Sequence, residues 1–216
     1  MKRGGASRLE GNGVELLRER NLAARVQGAL ERLYRLDRVA DVGDFLQSAQ
    51  AGEREALLVR EAQDGSIEVS LRLPALEGPW REDGGGLDAL CQIIEGVSHF
   101  VYVVERARMG REATQLELEL QAEVDKWVVL GASMAAFDVG RSATLRSRLY
   151  EGVAFADAAE TELGARYRVA NDAAHHFVRR LEQDYLRRSR FGELRAELRR
   201  FFHVGQEEKL RLGRAA

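Results

Sequence analysis

The sequence predicts an α+β fold that is predominantly α: a helical bundle with a small β-hairpin in its N-terminal third. Apolar residues recur at helical spacing over most of the chain, and both prolines, Pro74 and Pro79, lie early, so that no proline interrupts a later helix. Residues 56–73 instead alternate apolar and polar side chains around Asp64-Gly65. This pattern is typical of two strands joined by a tight turn.

The composition indicates one folded domain in a soluble protein. The 216 residues suffice for a sizeable core, and a net charge of −2 predicts no general attraction to nucleic acid or membrane. The single cysteine, Cys91, cannot form an internal disulfide, and no apolar run approaches the roughly 18 residues of a membrane span. We expect a cytoplasmic protein with no membrane contact, with residues 1–13 as a disordered lead-in and residues 14–216 as a single globular domain.

The elements are predicted from their periodicity and turn signals. In chain order they are a helix at 14–36, a short helix at 42–46, strands at 57–60 and 67–73, and helices at 87–108, 114–137, 159–188, 191–202 and 206–212. In the second strand Ile67, Val69, Leu71 and Leu73 share one face. Because an isolated hairpin is only marginally stable, this face must pack on the helices or on another sheet.

Two neighbouring predicted helices carry ionisable side chains among their apolar ones. Glu95 and His99 lie in the first helix, and Glu119 and Glu123 lie in the second. The linker "MGREA" between them is short, so the helices are expected to be antiparallel neighbours that bring the four side chains together. Carboxylates and imidazoles build metal sites in helical bundles. One interpretation is therefore a metal site made of Glu95, His99, Glu119 and Glu123.

The alternative interpretation of the same side chains is a buried polar network that fixes the helix register. Glu95 and His99 are four residues apart and the pair is not repeated, whereas di-metal bundles use Glu and His three apart, twice. In this network Glu123 pairs with Arg106 or His99, and Glu95 pairs with Lys126, because a buried carboxylate requires a partner.

The stretch "ARYRVANDAAHHFVRRLEQDYL" contains a second candidate site, in which Arg168, Asn171 and His175 lie along the border of an apolar helix face. The Arg–His spacing resembles the motif of HEPN-type ribonucleases, all-helical proteins that usually act as dimers. The resemblance implies that His175 acts as an acid–base group and Arg168 stabilises phosphate charge. It covers one helix, and Val169 stands where that family usually has a polar residue. The alternative is a helix flank in which Arg168 pairs with Asp172 or Glu160.

Residues 179–214 are locally basic, with arginine and glutamate mixed at helical spacing. Arginine clusters beside aromatic residues can bind RNA or an acidic partner, so RNA is one predicted ligand of this Arg-rich C-terminal segment. The interleaved glutamates favour instead a solvated helix with weak ion pairs.

The chain lacks the phosphate-loop, zinc-ligand and serine-hydrolase motifs, so the sequence predicts no cofactor. The first functional interpretation is a non-enzymatic regulatory or scaffold protein that acts through protein–protein contacts and self-associates as a homo-oligomer. The alternatives are a HEPN-like, metal-independent ribonuclease that uses Arg168 and His175, and a carboxylate–histidine metal-binding protein. Whether the chain is an enzyme stays open at this point.

Overall fold

The computed structural model describes residues 17–50, 53–61, 67–76 and 86–214. Within them the helices are α1 (Leu17–Tyr34), α2 (Leu87–Arg108), α3 (Gln115–Ser133), α4 (Val139–Tyr150), α5 (Glu162–Asp184), α6 (Phe191–His203) and α7 (Gln206–Arg214). The strands are β1 (Leu46–Ser48), β2 (Ala56–Glu61) and β3 (Ile67–Leu73), and short 3-10 helices cover Val42–Phe45 and Leu186–Arg188. The predicted α+β, predominantly α fold is confirmed. The predicted lead-in and the Asp64-Gly65 turn lie outside the described residues.

The three strands form one sheet in the order β1-β3-β2. The predicted hairpin is present, with β2 antiparallel to β3. The sequence analysis did not predict β1, a three-residue strand that pairs parallel to β3, with Leu46 opposite Leu71. The sheet packs on α2 at Gly96, where an added Cβ would lie 2.8 Å from Leu71 Cδ1 and 3.1 Å from Leu73 Cδ2. The hairpin is therefore covered by a helix of its own chain.

The core of the bundle lies around α2, which contacts α1, α3 and the sheet, while α5 covers α3. Stacked aromatic rings join distant parts of the chain. The ring centroids of Tyr34 and Phe202 are 4.2 Å apart, and those of Phe177 and Phe201 are also 4.2 Å apart. Among the described helices, α2 alone is long and apolar enough to cross a membrane. Its most apolar window is 61% buried, as in the core helix of a soluble protein.

Three helix predictions differ from the structure. The predicted helix 159–188 is shorter, since α5 covers Glu162–Asp184 and a separate 3-10 helix covers Leu186–Arg188. The predicted helix 114–137 ends at Ser133, because Met134 is extended and Phe137 turns back to pack on Gly131 and Trp127. Helix α4 was not predicted, because its glycine, serines and threonine have low helix propensity. Tertiary contacts hold α4 in place: Trp127 Nε1 donates to Ser142 Oγ at 3.1 Å, and Ser142 donates to Glu182 at 2.6 Å.

We predict that Gly164→Ala lowers the free energy of unfolding by about 1–3 kcal/mol, because a Cβ there would lie 1.9 Å from the carbonyl oxygen of Ala158. Gly192 in α6 has no atom within 4 Å of an added Cβ, so Gly192→Ala is the matched control. It is expected to be neutral or to stabilise by up to about 1 kcal/mol. Urea denaturation measures both values, and equal effects of the two substitutions would contradict the predicted close approach.

Candidate metal centre

The antiparallel pair α2–α3 brings ionisable side chains together in the interior. The two helices are joined by a tight turn at Gly110, which has a positive φ of 65°. Thr114 caps α3 in a capping box with Glu117, and Arg106 lies 3.2 Å from Glu117 near the turn. Farther along the helix pair, Lys126 Nζ lies 3.2 Å from Glu95. These contacts fix the register that aligns the remaining polar groups.

Three of the four predicted metal ligands converge. Glu95, His99 and Glu119 each offer one ligand atom, and these atoms all lie within 4.8 Å of one another. His99 Nε2 and Glu119 Oε2 are 3.8 Å apart. The three residues are only 6–8% exposed, so their ligand atoms face one another in the interior. A cation placed between them would be held by one nitrogen and two carboxylate groups.

The orientation of the His99 ring leaves one nitrogen free to act as a ligand. The ring lies against the backbone of Leu118, which raises the pKa of His99 slightly against the effect of burial, whereas Nε2 is buried and has no hydrogen-bond partner among the described residues. Burial lowers the pKa of His99, which favours the neutral ring. Its Nε2 lone pair then faces the Glu119 carboxyl group, an arrangement that a proton or a metal ion stabilises.

The carboxyl groups around this centre exceed the cationic groups that compensate them. Burial, followed by the charge of Glu95, raises the pKa of Glu119 to about 8. Burial also raises the pKa of Glu55, whose carboxyl group is hydrogen-bonded to Glu95. Burial opposes ionisation of Glu95 as well, but Lys126 and the other neighbours outweigh it and the pKa of Glu95 is lowered. Glu95 thus carries the negative charge of the centre.

Glu123, the fourth predicted ligand, lies outside the converging group. Lys126 Nζ donates to Glu123 at 2.7 Å, and the same ammonium group contacts Glu95 at 3.2 Å. The structure therefore contains the Glu95–Lys126 pair of the polar-network interpretation together with the converging ligands of the metal interpretation. Arg106, which that network paired with Glu123, instead binds Glu117.

The sequence analysis missed Glu55, which lies directly before β2 and is half-buried. It reaches Glu95 because the sheet packs closely on Gly96, where the Glu55 Cβ lies 3.7 Å from an added Cβ. A single glutamate before a strand gives no local signal for this contact. From the other side α5 contributes Arg166 and Tyr167, whose electrostatic interactions reach Glu119.

The residues of the nuclease interpretation bind separate neighbours. Arg168 Nη1 donates to the backbone carbonyls of Asp157 and Gly164, and its guanidinium lies over the Phe155 ring. His175 Nε2 lies 2.6 Å from Arg146 Nη1, and its ring stacks on Tyr150. Asn171 is half-buried on the same helix. The structure does not bring Arg168 and His175 into contact, and their catalytic role stays a prediction.

A second buried network, which the sequence analysis did not identify, centres on Asp125. Its carboxylate accepts hydrogen bonds from Tyr34, from Ser98 at 2.6 Å and from Gln121 at 3.0 Å. Lys209 is fully buried and donates to Gln121 at 2.6 Å and to the Phe201 carbonyl at 2.7 Å. This network ties α1, α2, α3 and α7 together, and its hydrogen-bonding groups partner one another.

Comparisons of the chain with protein-family models, with curated proteins and with solved structures found no match in any of the three. The functional interpretation of the centre therefore rests on its own ligand atoms, on their burial and on their charge. Of the two buried polar networks, the one around His99 contains a nitrogen, Nε2, that can bind a metal ion and that has no hydrogen-bond partner among the described residues.

The raised pKa of Glu119 predicts a pH-dependent stability. In the folded metal-free protein Glu119 keeps its proton up to about pH 8, whereas in the unfolded chain it loses the proton above the ordinary pKa of 4.5. The protonated Glu119 therefore contributes a free energy of unfolding that is fully present below pH 4.5 and is lost as pH rises through about 8. The difference in unfolding free energy, wild type minus Glu119→Gln, should therefore fall between pH 5 and 8, by up to about 1.4 kcal/mol per pH unit. Urea denaturation in a chelator measures it.

Taking the difference from wild type cancels the titration of ionisable groups that are remote from Glu119. Glu112→Gln, an exposed substitution in the α2–α3 linker, is the control, and its difference from wild type should not change with pH. A pH-independent difference for Glu119→Gln would show that this carboxyl group is ionised in the folded protein at neutral pH.

Proposed function

We propose that this protein is a non-enzymatic, metal-responsive regulatory protein that binds one divalent transition-metal ion between Glu95, His99 and Glu119. The observation that carries the proposal is the buried, unpaired Nε2 of His99, which faces two carboxyl groups within 4.8 Å. Buried polar atoms are almost always hydrogen-bonded, and a cation bound at this ligand nitrogen would supply the partner that the described residues do not. The backbone contact at Leu118 supplies the support that metal-binding histidines generally have on their other nitrogen.

The charge balance of the surroundings supports a bound cation. Four carboxyl groups, those of Glu55, Glu95, Glu119 and Glu123, interact with three cationic groups, those of Arg54, Lys126 and Arg166. If all are ionised, the negative charges exceed the positive ones, and a bound cation would compensate the excess. Bound metal would thereby replace protons that the metal-free centre must hold.

The ligand types favour zinc among the divalent cations. One imidazole nitrogen with carboxylate oxygens suits Zn²⁺ and neighbouring transition metals, whereas Ca²⁺ and Mg²⁺ prefer oxygen ligands alone. Glu55, hydrogen-bonded to Glu95, lies beside the three converging ligands but is not one of them, so it would have to move to become a fourth ligand. With that fourth protein ligand the site would have the closed tetrahedral form typical of structural zinc.

Burial of the centre supports regulation rather than catalysis. A catalytic metal keeps an open position for substrate, whereas these three ligand residues are only 6–8% exposed. Glu95 and His99 come from α2 and Glu119 from α3, while Glu55 precedes the sheet strand β2. Metal binding would therefore stabilise the contact between the sheet and the helix pair. The predicted protein partner and the homo-oligomer fit this function and stay predictions.

We predict that Zn²⁺ raises the Tm of the metal-free protein by roughly 5–10 °C at a free concentration 100 times its Kd. Glu119→Gln and His99→Asn should abolish this increase, since each removes a ligand atom from the converging group. Differential scanning fluorimetry with Zn²⁺, and with EDTA as the reference, measures the shift. Competition with a chromophoric chelator gives the stoichiometry, which is expected to be one ion per chain.

Glu112→Gln is the matched control, because Glu112 is exposed in the α2–α3 linker and lies outside the converging group. It should retain the Zn²⁺-dependent increase in Tm. If Glu112→Gln and Glu119→Gln lose zinc binding equally, the assigned ligand set is wrong. If the wild-type protein binds no Zn²⁺, Mn²⁺ or Co²⁺ in the chelator competition, the centre is a polar network and the proposal fails.

A further inference from the structure

The first helix carries a second stripe of residues beside its core-facing side. Arg18, Leu22, Arg25, Ala29 and Arg32 follow one another at alternating spacings of four and three residues. The three arginines are exposed and Leu22 and Ala29 are half-buried, whereas the buried residues of α1 lie on the core-facing side. Alternating spacings of four and three residues are typical of a helix face that packs lengthwise against another helix.

This stripe borders a groove of about 1260 Å³ between α1, the start of α2 and the end of α3. Its apolar lining includes Leu22, Leu76, Leu90 and Val129. Apolar side chains therefore line part of an open groove, a combination found at sites that bind an amphipathic helix. The groove is separate from the proposed metal centre, whose ligands are not among its lining residues.

The charge of the groove is uniformly positive among the described residues. Four arginines line it, at positions 18, 25, 32 and 38, and no carboxyl group of the described residues does so. Arg38 is bound by Glu31 at 2.8 Å and Asp41 at 3.3 Å, whereas Arg18, Arg25 and Arg32 have no ion-pair partner among the described residues. Within the described part of a chain whose net charge is −2, this is a local concentration of positive charge.

We propose that this groove docks an acidic amphipathic helix of a partner protein. From Arg18 to Arg32 the stripe covers 15 residues of helix and rises about 21 Å, which matches a partner helix of roughly four turns. Such a helix would bury its apolar face on Leu22 and Leu90 and place carboxylates at heptad spacing opposite the arginines. The apolar lining and the regular arginine spacing both favour this occupant.

Nucleic acid fits the same charge less well. Proteins that bind single strands stack bases on aromatic side chains, and no aromatic residue is found among the described residues that line the groove. A phosphate backbone would also leave the apolar lining exposed to water. A helix contacts both the apolar and the charged surface of the groove, whereas RNA would contact only the charged one. Binding of RNA is therefore one of the outcomes that the test distinguishes.

The test uses the full-length chain and a fluorescein-labelled, helix-stapled peptide of 18 residues, with glutamate at every seventh position beside a leucine stripe. Fluorescence anisotropy should show micromolar binding to the wild-type protein. Arg25→Glu should raise the Kd at least tenfold, because Arg25 lies at the centre of the stripe. Arg111→Glu makes the same charge change at an exposed site of the α2–α3 turn and should alter the Kd less than twofold.

A charge-reversed peptide, with lysine in place of the glutamates, should bind Arg25→Glu more tightly than it binds the wild-type protein. This result needs a folded variant, so it separates loss of contact from loss of folding. Absence of wild-type binding up to 100 µM, or equal weakening by Arg25→Glu and Arg111→Glu, would overturn the proposal. Tighter binding of a single-stranded RNA 12-mer or of anionic vesicles, with the same sensitivity to Arg25→Glu, would also overturn it by assigning another occupant.

Discussion

The rest of the structure depends on the ammonium group of Lys126, which lies between two buried carboxylates of different helices. It binds Glu123 of its own helix at 2.7 Å and Glu95 of α2 at 3.2 Å. Breaking a buried ion pair on one side leaves an uncompensated charge, which costs about 3–5 kcal/mol. The α2–α3 register is thereby fixed at one end, as the buried Arg106–Glu117 pair fixes it at the other. Only in this register does His99 face Glu119.

The two buried polar networks of the bundle differ in whether their polar atoms have hydrogen-bond partners within the described part of the chain. Around Asp125 both carboxylate oxygens accept hydrogen bonds, and Lys209 has two acceptors. That network is complete without any ligand and serves to hold the helices together. Around Glu95 the carboxyl groups crowd one another, and the nitrogen of His99 that faces them has no hydrogen-bond partner among the described residues. What distinguishes this network is that the unpaired nitrogen lies within 4.8 Å of two carboxylate oxygens, a set of atoms that can bind a metal ion.

The sequence predicted elements whose signals are local and missed those that depend on distant contacts. The alternation in 67–73 and the apolar periodicity of α2 and α5 are intrinsic to their segments, so their existence and type could be predicted. By contrast, β1 exists because β3 offers it an edge, and α4 is held by the contacts of Ser142 with Trp127 and Glu182. At the centre, the short linker indicated which helices meet and hence three of the ligands. Glu55 could not be predicted, because only the packing of the sheet on Gly96 brings it to Glu95.

The sheet connects the proposed metal centre with the proposed docking groove. Glu55, directly before β2, reaches Glu95, while Leu76, three residues after β3, lines the groove. These residues flank the hairpin at its open end, where Ala56 pairs with Arg72, and the hairpin packs on α2, which contributes to both sites through Glu95 and Leu90. A metal ion bound beside Glu55 and a helix seated on Leu76 would therefore restrain the same end of the hairpin. Two ligands that order the same element would share the entropy cost of ordering it, so each would favour binding of the other.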